Sequence, residues 1–325
     1  MKEQQVRILS GIKPSGIIHI GNYLGMIRPM VESQEKGELF CFVANLHSLT
    51  SIYDREKMIR YTNDVVIDLL SLGIDPEKSV FWVQSDVPEV AEITWYLNNI
   101  TPVGLLGRSH AYKDALARGL PANNGLFSYP VLMAADILAY QANRVPVGKD
   151  QKQHLEIARD LAIKFNSTYG NAFTVPEPEI KEELAVVPGI DGQKMSKSYG
   201  NTIEIFGDEK SIQNKVMSIV TDSAPVDAPK EPEKSIIFTI YKHFASASET
   251  EIMAERFRAG GYGYGEAKKE LFDVLWDYFE PFRKRREELE SKPGLVKEIR
   301  EKGAAKARKV ISSTLERVRS LVGVD

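Results

Sequence analysis

The chain has 325 residues, 43% hydrophobic and 27% charged, the make-up of an ordinary soluble protein with material for two domains or one large one. No run of about 18 apolar residues occurs and Met-Lys-Glu-Gln-Gln at the start is not a secretory signal, so a cytoplasmic protein without membrane contact is expected. The net charge of −3 argues against a general nucleic-acid binder, and the single cysteine, Cys41, excludes an intrachain disulfide or cysteine-cluster metal site.

Strand-like runs at Val6 to Leu9, Phe40 to Ala44, Val80 to Gln84 and Arg144 to Val147 alternate with helical spacing near 21 to 35, 55 to 72 and 88 to 99. That alternation predicts an α/β fold, a doubly wound parallel sheet of Rossmann type covered by helices. Cys41, in Leu-Phe-Cys-Phe-Val-Ala, reads as a buried strand residue. From about Asp208 the pattern is helical only, including Glu266 to Glu290 and Leu295 to Leu321, with a Pro-rich connection over Ser223 to Glu233. The expected organisation is a catalytic part over 1–207 and a helical part over 208–325, the last helix free to pack back on the first part. Gly260-Gly261-Tyr262-Gly263-Tyr264-Gly265 has no strand before it and reads as a helix-capping turn rather than a nucleotide loop. Residues 251–325 carry 17 Lys and Arg against 14 Asp and Glu, leaving −6 for the remainder. Such a segment could hold RNA phosphates or could simply be a solvated helical face.

Four segments carry chemistry. After the first strand, Gly11, Pro14 and Gly16 make a turn leading to an amphipathic helix at Gly21 and Asn22, so unpaired helix amides face whatever the turn holds. A plain strand-to-helix turn has the same pattern. Lys194-Met195-Ser196-Lys197-Ser198 sets two lysines among small hydroxyls, which suits a mobile phosphate-holding loop and equally a solvated surface loop. Pro130 can begin a helix that is apolar nearly all round, on which Tyr129, Met133 and Asp136 share one face at i, i+4 and i+7. A carboxylate in that setting needs a donor, either a ligand N–H or a structural Arg or Lys. Finally, Val145-Pro146-Val147-Gly148-Lys149-Asp150-Gln151 ends a strand where open α/β sheets place ligands.

His19-Ile20-Gly21-Asn22 resembles the His-x-Gly-x signature of class I aminoacyl-tRNA synthetases, and Lys194 to Ser198 resembles their Lys-Met-Ser-Lys-Ser loop. Asn22 stands where the signature usually ends in His, a departure typical of tryptophan and tyrosine members. Met133-Ala134-Ala135-Asp136 is similar to the pocket sequence of tryptophanyl-tRNA synthetases. The resemblance implies a ligase that uses ATP, with Mg2+ accompanying the nucleotide and no protein-only metal site, to activate L-tryptophan and pass it to tRNA(Trp). It implies that Lys194, Lys197, His19 and Lys113 serve the catalytic step, Lys197 most in the transition state. His19 and Asn22 would contact ATP phosphates and ribose, and Gly21 would leave room for adenine. Lys13, Ser15, Gly148, Asp150, Gln151, Met195, Ser196 and Ser198 would complete the ATP side, although Lys13 stands where some relatives have Gln. Tyr129 and Gln151 would hold the substrate amino group, with Met133, Asp136, His47, Val145, Val147 and Gly11 forming the pocket. Arg108, His110 and Lys113 resemble an acceptor-end contact segment, and the helical part would receive the anticodon. Family members are homodimers, and apolar positions around Met58 to Leu72 and Trp95 to Leu106 could supply the interface or be plain core. The rival readings are a tyrosyl enzyme, a non-catalytic paralogue and an adenylyltransferase for a small carboxylic acid.

Overall fold

The computed structural model describes residues 6–117, 119, 123–148, 151–180 and 187–324. Among the described residues the sheet has five parallel strands, β1 (Arg7–Ile12), β2 (Glu38–Val43), β3 (Ser79–Val83), β4 (Arg144–Val147) and β5 (Glu177–Ile180), in the order β3-β2-β1-β4-β5. This is a doubly wound order, reversing direction between β1 and β4. The near-continuous apolar runs of β2 and β3 follow from burial on both faces. Phe40, Phe42, Val80 and Trp82 join one core with the helices Glu89–Ile100, Asn124–Ala139, Lys152–Tyr169 and Pro293–Val322. Leu39, Cys41, Val43, Phe81 and Val83, at 0% exposure, alternate to the other face. Burial pushes the Cys41 thiol up to about 12, as suits an inert strand residue.

β5 was not legible in the sequence. Its Glu-Pro-Glu-Ile lacks a strand signature, and a proline is tolerated because β5 is an outer strand. A second difference concerns Pro130, which lies inside the helix Asn124–Ala139 rather than at its start. The helix begins earlier because the Asn123 side chain accepts the Leu126 N–H at 2.8 Å and caps it.

The chain forms two compact units, one from the described parts of 1–15, 30–183 and 292–325, the other from those of 16–29 and 184–291. This division sets residues 16–29 and 187–207 with the helical unit, across a boundary at 207/208, and the last helix with the sheet unit. The helix Pro293–Val322 belongs to the sheet unit, where Ala304, Ala307, Ile311, Leu315 and Val318 are buried. Gly303 lies so close to β3 that an added Cβ would stand 1.7 Å from the Phe81 carbonyl oxygen, so this position admits only glycine. Residues 16–29 belong to the helical unit. There Ile20 N–H donates to Ile203 O (3.0 Å), and the Tyr23 hydroxyl lies 2.8 Å from that of Tyr278 in the helix Tyr264–Glu290. Phe244, Phe279 and Phe282 pack their rings about Tyr23. In the same unit Gly260, with φ of 78°, caps the helix Ala247–Ala259, so the glycine-tyrosine segment is a capping turn.

Candidate active site

In the sheet unit, the helix Asn124–Ala139 carries Asp136 into the interior, where it is 2% exposed. Among the described residues its partners are neither Arg nor Lys. His47 Nε2 lies 2.8 Å from Oδ2, and Gln84 Nε2 donates to Oδ1 at 2.8 Å and to Oδ2 at 3.0 Å. Burial pushes the Asp136 carboxyl up from its ordinary range, and the hydrogen bonds from His47 and Gln84 oppose that shift. Gln84, 1% exposed, also accepts the Leu46 N–H at 3.0 Å, so it ties the end of β3 to the short helix Asn45–Ser48 that bears His47. Sequence reasoning missed Gln84. The available signal was its place just past the carboxyl end of a parallel strand.

Two turns earlier, the Tyr129 hydroxyl lies 2.6 Å from His154 Nε2, and His154 Nδ1 lies 2.9 Å from Gln151 Oε1. Burial pushes the Tyr129 phenol up to about 12, which keeps it a hydroxyl donor at neutral pH. The His47 and Tyr129 rings meet edge-on at 6.3 Å, and both line a cavity of 430 Å³ with Leu46, Thr94, Ser128 and Leu132. Met133, Val147, Gly148 and Gln151 are half-buried, Val145 is buried, and Gly11 is exposed near the end of β1. Lys13 is half-buried and donates to Thr50 Oγ1 at 3.1 Å, its pKa lowered by burial, while Ser15 is exposed. Lys113 is exposed on the helix His110–Ala117. Asp150 and the His110 side chain lie outside the described residues.

The helical unit holds the other two motifs. His19, 4% exposed, caps the turn Ile20–Asn22: its Nδ1 accepts the Asn22 N–H, and its own N–H donates to Asn22 Oδ1, both at 3.3 Å. With Nδ1 an acceptor, the ring proton of neutral His19 sits on Nε2. A Cβ on Gly21 would come within 3.0 Å of His19 Nδ1 and 3.4 Å of Met195 Cβ, so a side chain here would crowd both motifs. In the second motif, Asn201 organises the loop, accepting the Ser196 N–H (2.7 Å) and donating to Asp191 Oδ1 (2.8 Å) and the Lys194 carbonyl (3.2 Å). Lys197 Nζ donates to the Gly16 carbonyl at 2.8 Å, Met195 is buried, Lys194 is exposed, and the Ser196 and Ser198 hydroxyls are 2.8 Å apart.

Burial, then the Lys197 ammonium, pulls the His19 pKa down to about 4. The unfolded chain protonates His19 near pH 6.5 and the folded chain near 4, so this group costs stability as pH falls through that window. The loss of unfolding free energy between pH 7 and pH 5, read from denaturant titrations, is expected to be smaller in His19→Asn than in the unsubstituted chain. Equal losses would show that His19 titrates normally in the folded state.

The profile of class I tRNA synthetases (W and Y) matches residues 1–280. A tryptophan–tRNA ligase of Fusobacterium nucleatum is 50% identical over 319 residues, covering 98% of either chain. The chain belongs to the tryptophanyl-tRNA synthetase family. Among solved structures, this synthetase is similar to tryptophanyl-tRNA synthetase from Campylobacter jejuni, complexed with ADP and tryptophan, at a TM-score of 0.93 and 50% identity, covering 98% of this chain and 100% of that one. The enzyme from Mycoplasma pneumoniae gives a TM-score of 0.83 at 28% identity, with 99% of both chains covered. As in the doubly wound order seen here, the synthetase keeps its acid-bearing helix beside the carboxyl ends of β2 and β3.

Proposed function

We propose that the chain is a tryptophan–tRNA ligase. It joins L-tryptophan to ATP as tryptophanyl-adenylate with release of pyrophosphate, then transfers the aminoacyl group to the 3′ end of tRNA(Trp). The observation that carries this reading is Asp136: a carboxylate buried among apolar residues, held by Gln84 and His47 with no Arg or Lys among its partners in the described residues. An ionised carboxylate offers about four acceptor sites, and these two side chains take up to three. The remainder suits one N–H of an indole ring, with Met133 as a polarizable neighbour. A tyrosyl substrate would present a hydroxyl, which both donates and accepts, and so fits an acceptor-only site less well.

No protein nucleophile enters this reaction, because the amino-acid carboxylate itself attacks the α-phosphate. Catalysis then consists of alignment and of positive charge where the leaving pyrophosphate gathers negative charge. In this reading Lys194 and Lys197 embrace the triphosphate, with Lys113 as a further cation. His19 and Asn22 bind phosphate and ribose, Gly21 makes room for adenine, and Mg2+ arrives on the nucleotide. Lys13, Ser15, Gly148, Asp150, Met195, Ser196 and Ser198 complete the ATP contacts. Tyr129 and Gln151 hold the ammonium group, and His47, Val145, Val147 and Gly11 bound the pocket. The helices of residues 208–325 would receive the anticodon. In this reading the synthetase is a homodimer, with the solvent-exposed Trp95 (66% exposed) and Val103 (73%) as candidate interface positions. Val65, Val66, Leu69 and Leu70, by contrast, are core. Among the described residues no helix is long and apolar enough to cross a membrane, and in this reading the synthetase acts in the cytoplasm.

Pyrophosphate exchange into ATP, run with each of the twenty amino acids, tests the reading. Exchange dependent on tryptophan is expected, and exchange dependent on tyrosine alone would overturn it. Within this reading Gln84 is a positioning residue for Asp136. Gln84→Met keeps the volume and removes the donor, so KM for tryptophan is expected to rise about 10- to 100-fold, the range for losing a hydrogen bond to a charged group, with kcat little changed. An unaltered KM would reduce Gln84 to a packing role.

A further inference from the structure

The helix Pro293–Val322 carries eight Lys and Arg. Five are paired with carboxylates: Lys297 with Glu301, Arg300 with Asp86, Lys302 with Glu298, Arg308 with Glu89 and Arg319 with Glu92. The other three, Lys306, Lys309 and Arg317, have no carboxylate partner among the described residues, and all three line one cleft of 510 Å³. Arg7 lines it as well. The carboxylate on the wall, Glu38, is already held by Arg7 at 2.8 Å. The cleft is therefore left with three uncompensated cations, whose mutual repulsion an anion would relieve.

Lys306, Lys309, Ser313 and Arg317 follow one another at spacings of three and four residues, so they form a stripe along one helix face. From Lys306 to Arg317 that stripe runs about 16 Å at about 1.5 Å per residue, longer than any single carboxylate or phosphate. Arg7 and Glu38 open β1 and β2, so the cleft sits at the amino ends of the parallel strands. Gln84 and Gly148 stand at the carboxyl ends, the opposite edge of the same sheet. The cleft is thus separate from the pocket around Asp136.

We propose that this cleft is a second anion site, which takes a run of successive phosphates. Two sources share that chemistry: a free polyphosphate, including the tail of a nucleoside polyphosphate, and the backbone of an RNA strand. The charge-reversed pair Lys309→Glu with Arg317→Glu tests it in the full chain, both side chains being exposed. The control is Lys297→Glu with Lys302→Glu, which makes the same change in net charge on the same helix outside the cleft.

The probes are inorganic tripolyphosphate, followed by titration calorimetry, and uncharged tRNA, followed through its KM in aminoacylation and the salt dependence of that value. Loss of one bound equivalent of tripolyphosphate, with the tRNA KM unchanged, is the result for a free-polyphosphate site. A tRNA KM raised about tenfold, with the salt slope reduced by about two, is the result for an RNA backbone. In both cases tryptophan-dependent pyrophosphate exchange stays at its original rate, which separates this proposal from the assignment of the active site. The proposal is overturned if neither probe responds to the cleft variant, or if the control variant responds as strongly.

Discussion

Replacing Asp136 by alanine is expected to slow tryptophan activation by about 30- to 900-fold, the equivalent of about 2 to 4 kcal/mol for leaving specific donors without their acceptor. The indole N–H loses its partner, and so does the Gln84 amide, which now donates to both carboxylate oxygens. Because Asp136 is buried, water cannot step in cheaply. Asp136→Asn should fall in between, since its carboxamide keeps one acceptor oxygen but turns a donor toward His47 or Gln84. Tryptophan-dependent pyrophosphate exchange measures the effect, with circular dichroism to show that each variant is folded. Unchanged turnover in folded Asp136→Ala would refute the recognition role.

Lys197→Ala is expected to depress the first-order rate of adenylate formation about 10²- to 10³-fold, the usual scale for removing one preorganised charge from a transition state, while ATP affinity moves little. The structure shows how this ammonium is poised. Lys197 Nζ is anchored on the Gly16 carbonyl, the loop around it is fastened through Asn201, and its charge is close enough to help hold His19 neutral. Single-turnover kinetics separate the two parameters. An effect confined to ATP affinity would make Lys197 a ground-state binding residue.

Much of this was legible in the residues because the strongest signals are local. The alternation of apolar strands with helical spacing is imposed by burial on both faces, so four of the five strands could be read directly. β5 escaped because an outer strand tolerates the proline that hides it. The face shared by Tyr129, Met133 and Asp136 follows from helix periodicity alone, whereas the partners of Asp136 lie 89 and 52 residues away and no spacing rule reaches them. His47 was named only through family resemblance, and Gln84 was not named. The grouping of residues 16–29 with 187–291 is likewise non-local, resting on backbone hydrogen bonds to Ile203 and aromatic packing on Tyr278.

The seating of Gly303 against Phe81 has a consequence for synthesis of the chain. β3 is complete by residue 83, yet the helix that lies along it starts at Pro293, more than 200 residues later. A nascent chain emerging from the ribosome therefore exposes an apolar outer strand through most of translation, open to pairing with a neighbouring polypeptide. Premature stop codons shortly before Pro293 should accordingly yield insoluble product, although every strand of the sheet is present.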